Sequence, residues 1–462
     1  MSDERPDLVV AGAGGGLVGA LRAAELGLDV LVVEASAHYR RGNNTSMSTA
    51  MIPAAGSRWQ REVGIDDSPE QFVADVRAKT KGQGDERVAA ALGEVSARFA
   101  DWLADHLGIP LQLVTDFHYP GHSVDRCLTV EGRHGSILLD HLIRKVKEDD
   151  RITMLVPARL VDVVLGEDGC TAVIEQPDGT ELRVETGAVL LASNGYGGDR
   201  ELVEQYLPEI AGAVYHGSET SRGDALRIGE RLGAATAFLD AYQGHAALAK
   251  RGATLVGWAT IMHGGFMVNA EGRRFGDETT GYSEYAAQLA AQQGAEGWII
   301  LDQRVHDACL AFTDFRQTVE SGALVWGDSL DALAQSIGVS AAALSEEAAS
   351  LAEVAEGAGA DRFGRVSVEA ALVPPFAAVK VVPALFHTQG GLVVDEHAQV
   401  LLPEGTAIRG LYASGGAAEG ISGHGAAGYL AGNGLLPALG LAFLAAEHVA
   451  SVHERPATPI TS

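Results

Sequence analysis

Short runs of valine and leucine bounded by glycine turns mark both ends of the chain. Leu8 to Val10 and Val30 to Val33 read as strands buried on both faces, because every position is apolar where a half-exposed strand would alternate. Between them LVGALRAAELG carries its apolar residues at helical spacing and closes at Gly27, a plausible helix stop. Several β-rich runs broken by EDG and PDG turns then lead into another buried strand, Ala188 to Ala192, and a glycine loop. Near Phe238 the style changes. FMVNAEGRRF predicts a hairpin about its NAEG turn, and SEYAAQLAAQQ and SAAALSEEAASLAEVAEGA predict amphipathic helices without a heptad seam. After Pro374-Pro375 the strand-and-glycine pattern returns, ending in an apolar helix from Leu435 onward.

The first glycine turn carries the chemistry. A pyrophosphate needs backbone amides at close range and gains from the positive end of a helix, and Gly12, Gly14 and Gly16 supply such a turn. Glu34 ends the second strand, where a carboxylate can accept from both hydroxyls of an adenosine ribose, with Ala35 beside it. The spacing is not a clean GxGxxG: counting from Gly12, the third position is Leu17. A distant loop, LYASGGAAEGISGHGAAGYLAGNGLLPAL, adds Ser414, Gly415 and the helix start at Gly434, Leu435 and Leu436, whose amides can face the negative edge of a flavin ring. Together the two ends point to FAD. The expected fold class is α/β: a Rossmann-like FAD-binding domain of glutathione reductase type with an inserted α+β capping domain. Residues 1–237 and 376–462 form the two parts of the first, and 238–375 the cap.

Charge and composition narrow the partners. The 61 acidic residues against 34 basic ones give a formal charge of -27, which repels nucleic acid and anionic membrane surfaces, so neither is expected as a partner. Cys127, Cys170 and Cys309 are too scattered for a metal cluster, haem attachment site or disulfide framework, and no metal is expected. They suit a reducing cytoplasm. No basic segment, apolar stretch and cleavage site follow one another at the N-terminus, so no secretory signal is read. The charge-free run between Glu419 and Glu447 has a first half rich in Gly, Ser and Asn and strongly apolar residues mainly from Leu435 onward, which suits a buried helix better than a membrane span.

RRGNNTSMSTAM, SNGYGG, SRGDALRIGERLGA, GGFMVNAEGRRFGDE, FHTQGGLVVD and GNGLLPAL, in this order over nearly the whole chain, resemble the fumarate reductase and succinate dehydrogenase flavoprotein superfamily. Within it the site pattern is similar to the 3-ketosteroid dehydrogenases. The resemblance implies a non-covalent flavin, because Asn44 stands where membrane-bound members carry the histidine that bonds FAD. It also implies a cradle: Gly42, Asn43, Asn44, Thr45, Ser46 and Ser48 would hold phosphate, ribityl and ring edges. Ala158, Ser193, Asn194, Gly195 and Asp224 would complete it.

Two arginines that handle the substrate carboxylate and its proton in soluble fumarate reductases are replaced here by Gly281 and Tyr429. A tyrosine offers one neutral donor where a guanidinium offers two charged ones, so a dicarboxylate would lose its counter-charge. The resemblance to the ketosteroid enzymes implies instead that Tyr282, four residues after Glu278, takes the proton alpha to a ketone. Tyr429 and the amide of Gly432 would polarise the oxygen. His387 matches a substrate-contacting histidine of the fumarate reductases. Arg126 and Arg222 are the cations left near the ligand loops, and a surface ion pair is the expected role of each. The function expected is FAD-dependent desaturation of a small carbonyl compound at its α,β bond, with an unidentified electron acceptor or donor. The alternatives are the reverse reaction, an enone or acrylate reductase, and a flavin-binding electron-transfer or regulatory protein.

Overall fold

The computed structural model describes residues 5–453, so the outermost residues of the expected first and last segments lie outside the described residues. A six-stranded sheet runs in the order Gln399–Leu401, Ala407–Ala413, Ala188–Leu191, Leu8–Ala11, Val30–Val33, Ile152–Leu155. All neighbours are parallel except the first pair. Leu8, Val9, Val10, Val189, Leu190 and Leu191 are wholly buried, as the unbroken apolar runs require. Each such side chain contributes about 1.5–3 kcal/mol by leaving water.

Helices cover this sheet closely because glycines let them. Gly16–Glu25 lies against the last helix, Leu435–Val452, and a Cβ at Gly15 would meet the Ala438 carbonyl oxygen at 2.6 Å. Leu435–Val452 is the one helix among the described residues long and apolar enough to cross a membrane, and most of it is packed inside the fold. The EDG and PDG turns join Arg159–Gly166, Gly169–Glu175 and Glu181–Thr186 into a separate antiparallel sheet.

A second sheet carries the roof of the site. Its central strand, Phe376–Thr388, pairs antiparallel with Tyr242–Ala249, Gly297–Asp302 and Leu324–Gly327 and parallel with Val214–Tyr215. This sheet thus draws strands from all three expected segments, and the strand opening the third one lies at its middle. The NAEG turn forms, with Asn269 N donating to Arg273 O, but the hairpin does not. Phe266–Val268 pairs instead with Gly297–Asp302. The second arm is diverted because Arg274 is drawn into a buried ion pair with Glu278 and Asp361, at 2.7 and 2.5 Å.

Candidate active site

The strands of the parallel sheet end on one edge, and their C-terminal residues open into one elongated cavity. Gly12, Glu34, Ser193 and Ser414 each follow such a strand, and all line it. In open α/β sheets ligands bind at this edge, where strand order reverses on the two sides of the first strand.

The adenosine end is built from Glu34, Ala35, Ala158, Arg159 and Asp224. Glu34 accepts from Ala13 N at 2.8 Å and Ser36 N at 2.6 Å, and burial raises its pKa against those bonds. Arg159 is tied to Asp224 at 2.7 Å. Gly12 has φ +116°, and a Cβ there would sit 2.3 Å from the Ala192 carbonyl oxygen, so only glycine fits the turn. Gly14 needs its missing side chain because Thr45 Oγ1 crowds it at 2.9 Å.

Asn43, Thr45, Ser48, Asn194, Gly415, Gly434 and Leu435 also line the cavity. Asn44 lines it too but is engaged on both sides of its amide: Nδ2 donates to Phe386 O at 2.9 Å and Oδ1 accepts from Ser218 N at 2.8 Å. Ser414 Oγ is buried without a hydrogen-bond partner at the cavity wall, an orphan that a ligand would satisfy. This glycine turn, acidic end group and polar wall fit FAD.

Five expected residues stand behind the wall. Gly16 leaves room for Val10 and Ala192, and Gly195 for the Thr388 hydroxyl, so both serve close packing. Gly42 ends the short helix Tyr39–Gly42 with open space around it. Ser46 turns its Oγ onto Asn43 O at 2.7 Å, and Leu436 is core. Neither cation is a ligand group. Arg126 is wholly buried between Asp67 and Asp75 and is not a surface pair, while Arg222 is exposed with Nε on Glu219 O at 3.1 Å.

The substrate end holds Tyr282, Tyr429, His387 and Gly432 together. Tyr282 opens the helix Tyr282–Ala290 after Gly281, whose φ of +122° suits glycine and strains any larger residue. Lys79 Nζ fixes this turn by donating to Thr280 O at 2.6 Å. The Tyr282 and Tyr429 rings meet edge to face at 5.8 Å, and their hydroxyls interact. Burial lifts both phenols well above the ordinary tyrosine range of about 10. His387 faces the same point: a Cβ on Gly434 would meet its Nε2 at 2.8 Å and the Tyr429 hydroxyl at 3.4 Å. Burial pushes the His387 pKa down to about 4, so the ring is neutral at pH 7.

Several wall residues escaped the sequence reading. His245 stacks on Tyr282 at 4.7 Å and on Phe386 at 5.2 Å, and burial pushes its pKa down to about 3. A histidine inside the apolar run YQGHAALA was the available signal. Tyr119, Trp258, Phe117 and Phe312 add aromatic walls, and His216 and Asp314 a polar rim. Nothing in linear spacing announced these. Among the described residues lining the cavity, Arg159 is the only lysine or arginine, and it lies at the far end.

A dinucleotide cradle joined to a roofed, aromatic, proton-handling chamber defines a flavoprotein oxidoreductase. The chain matches the FAD binding domain family over residues 7–435 and belongs to it. It is 27% identical over 427 residues to the probable fumarate reductase Ifc3 of Shewanella frigidimarina, spanning 91% of this chain and 71% of that one. The open conformation of a flavocytochrome c3 fumarate reductase superposes with a TM-score of 0.79 at 27% identity, covering 97% of this chain and 78% of that one. The 3-ketosteroid delta1-dehydrogenase of Sterolibacterium denitrificans shares the fold, with a TM-score of 0.75 at 21% identity over 96% and 99%. The protein is an FAD-dependent oxidoreductase of the class acting on CH–CH bonds.

Proposed function

We propose that the protein exchanges hydride at the α,β bond of an uncharged carbonyl compound, and that desaturation of a ketone is its reaction. The observation that carries this is the substrate end itself: two phenols and a neutral imidazole converge, and among the described residues lining the cavity no guanidinium or ammonium stands at that end. A dicarboxylate would leave water for a cavity whose lining includes Asp314, a carboxylate of its own sign.

Bound FAD supplies the hydride acceptor. Tyr282 takes the proton from the carbon alpha to the carbonyl, and Tyr429 with the Gly432 amide holds the oxygen as enolate charge gathers there. His387 donates to, or accepts from, the same oxygen. Phe117, Trp258 and Phe312 keep water away, which strengthens each of these contacts. The cofactor would be held without a covalent bond, since Asn44 brings to the cavity wall a carboxamide, which is not a nucleophile. Acid precipitation should therefore leave the flavin colour in the supernatant.

Burial of Tyr282 favours its protonated form, and a protonated phenol is a donor. That observation favours a second reading, reduction of an enone with Tyr282 protonating the alpha carbon. A fumarate reductase relative points the same way. Anaerobic titration with a ketone panel tests the proposal: a saturated ketone should bleach the flavin, and Tyr282→Phe should slow bleaching by about 10²–10⁴-fold with FAD retained. Unchanged reduction kinetics in that variant would remove Tyr282 from the reaction.

A further inference from the structure

One peptide at the substrate end is held from behind. Gly432 lines the cavity beside Tyr429, and its N–H has no hydrogen-bond partner among the described residues. The carbonyl of the same peptide unit belongs to Ala431 and accepts from His122 Nε2 at 3.0 Å. This peptide is trans, so its C=O and N–H point in opposite directions. The imidazole grips one end of the dipole, and the other end belongs to a residue that lines the cavity.

The tautomer follows from the neighbours. Arg126 Nη1 lies 3.1 Å from His122 Nδ1, and a guanidinium only donates, so Nδ1 is bare and Nε2 carries the hydrogen. Arg126 cannot drift, because Asp67 accepts from it at 2.9 Å and Asp75 at 2.5 Å. His118 Nε2 donates to the His122 carbonyl at 2.5 Å and fixes that loop. Burial first, and the Arg126 charge second, bring the His122 pKa down to about 4, which keeps the ring neutral.

We propose that Arg126 and His122 are positioning residues that aim and polarise the Ala431–Gly432 peptide, so that Gly432 N–H binds an oxygen anion conjugated to an unsaturated ring or chain. Linked hydrogen bonds strengthen one another by about 10–30% per bond, and a low-dielectric site makes that gain count. The ligand class selected is an enolate or its stable mimic, a phenolate. The inference rests on the reading of Tyr429 and Gly432 as the pair that holds the substrate oxygen.

The probe is 4-nitrophenol, whose anion is coloured and whose acid is nearly colourless. Its ionisation when bound to the FAD-loaded protein is titrated in the wild type, in His122→Leu, which removes the donor, and in His122→Gln, which returns an N–H. Phenolate affinity should fall about three- to tenfold in His122→Leu, with FAD retained, and recover most of that in His122→Gln. Undiminished affinity in His122→Leu overturns the inference. A wild type that takes up no phenolate overturns the reading of the Tyr429 and Gly432 pair itself. Should His122→Leu lose FAD, nitrogen-15 histidine spectra of the unmodified protein decide: the neutral Nε2–H tautomer should persist from about pH 6 to 8. A cation or the Nδ1–H tautomer there overturns the inference.

Discussion

Tyr282 and Tyr429 set the pH behaviour of the site. Burial raises both, so the base form of Tyr282 is scarce at neutral pH and grows as the solution becomes alkaline. The rate of flavin reduction by a ketone should therefore climb by up to tenfold per pH unit above about pH 7, without a plateau before the protein unfolds. The reverse step uses the protonated phenol and should be flat through neutrality. Stopped-flow traces in both directions across a pH series check this; a plateau near pH 7 in the first would mean another group is the base. Tyr429→Phe should weaken the oxygen contact and cost about 10²–10³ in the same rate, with Tyr282 in place.

At the scale of elements, the site depends on how turns present these residues. The Glu278 carboxylate is wholly buried, accepts from Arg274 at 2.7 and 2.8 Å and from Met267 N at 3.2 Å, and starts the turn that ends at Tyr282. Glu278→Gln leaves two buried guanidiniums short of charge and should cost about 3–5 kcal/mol in urea unfolding. Gly12→Ala drives a Cβ into the Ala192 carbonyl, and the purified variant should carry little or no FAD, read by flavin absorbance per chain. The glycine turn and Glu34 were legible because each lies in a short motif with its own local chemistry, whereas the two phenols were legible only through the family resemblance. The irregular spacing after Gly12 resolves in the same terms: the helix starts at Gly16, with Gly15 as its cap. His245, Phe117, Phe312 and His122 were not legible as a group, because strands and loops far apart in sequence bring them together. Nor was the central strand Phe376–Thr388, which runs through Pro383 and crosses from cap to cofactor edge.

The whole molecule is a parallel sheet that ends at a cofactor edge, closed by a second sheet whose middle strand delivers His387 into the chamber. The buried histidines around the chamber are costly in acid. His122 and His245 are almost fully buried and neutral, with pKa values near 4 and 3 against about 6.5 in an unfolded chain. Between those limits the unfolded state binds more protons, so stability falls as pH drops, by about 1.4 kcal/mol per pH unit for each histidine. Urea unfolding at about pH 7 and pH 5 should show the loss, and His122→Gln should shrink it. A slope unaffected by that substitution would mean His122 is not buried neutral.

The central claim is that a chamber walled by phenols and neutral imidazoles exchanges hydride with an uncharged carbonyl compound. Mixing the photoreduced, FAD-loaded protein anaerobically with a cyclic enone or with fumarate tests it most directly, because reoxidation of the flavin reads hydride exchange whichever direction operates in the cell. The account predicts rapid recovery of flavin absorbance with the enone, slow recovery with fumarate, and loss of the enone reaction in Tyr282→Phe. Rapid reoxidation by fumarate with none by any neutral enone would contradict it.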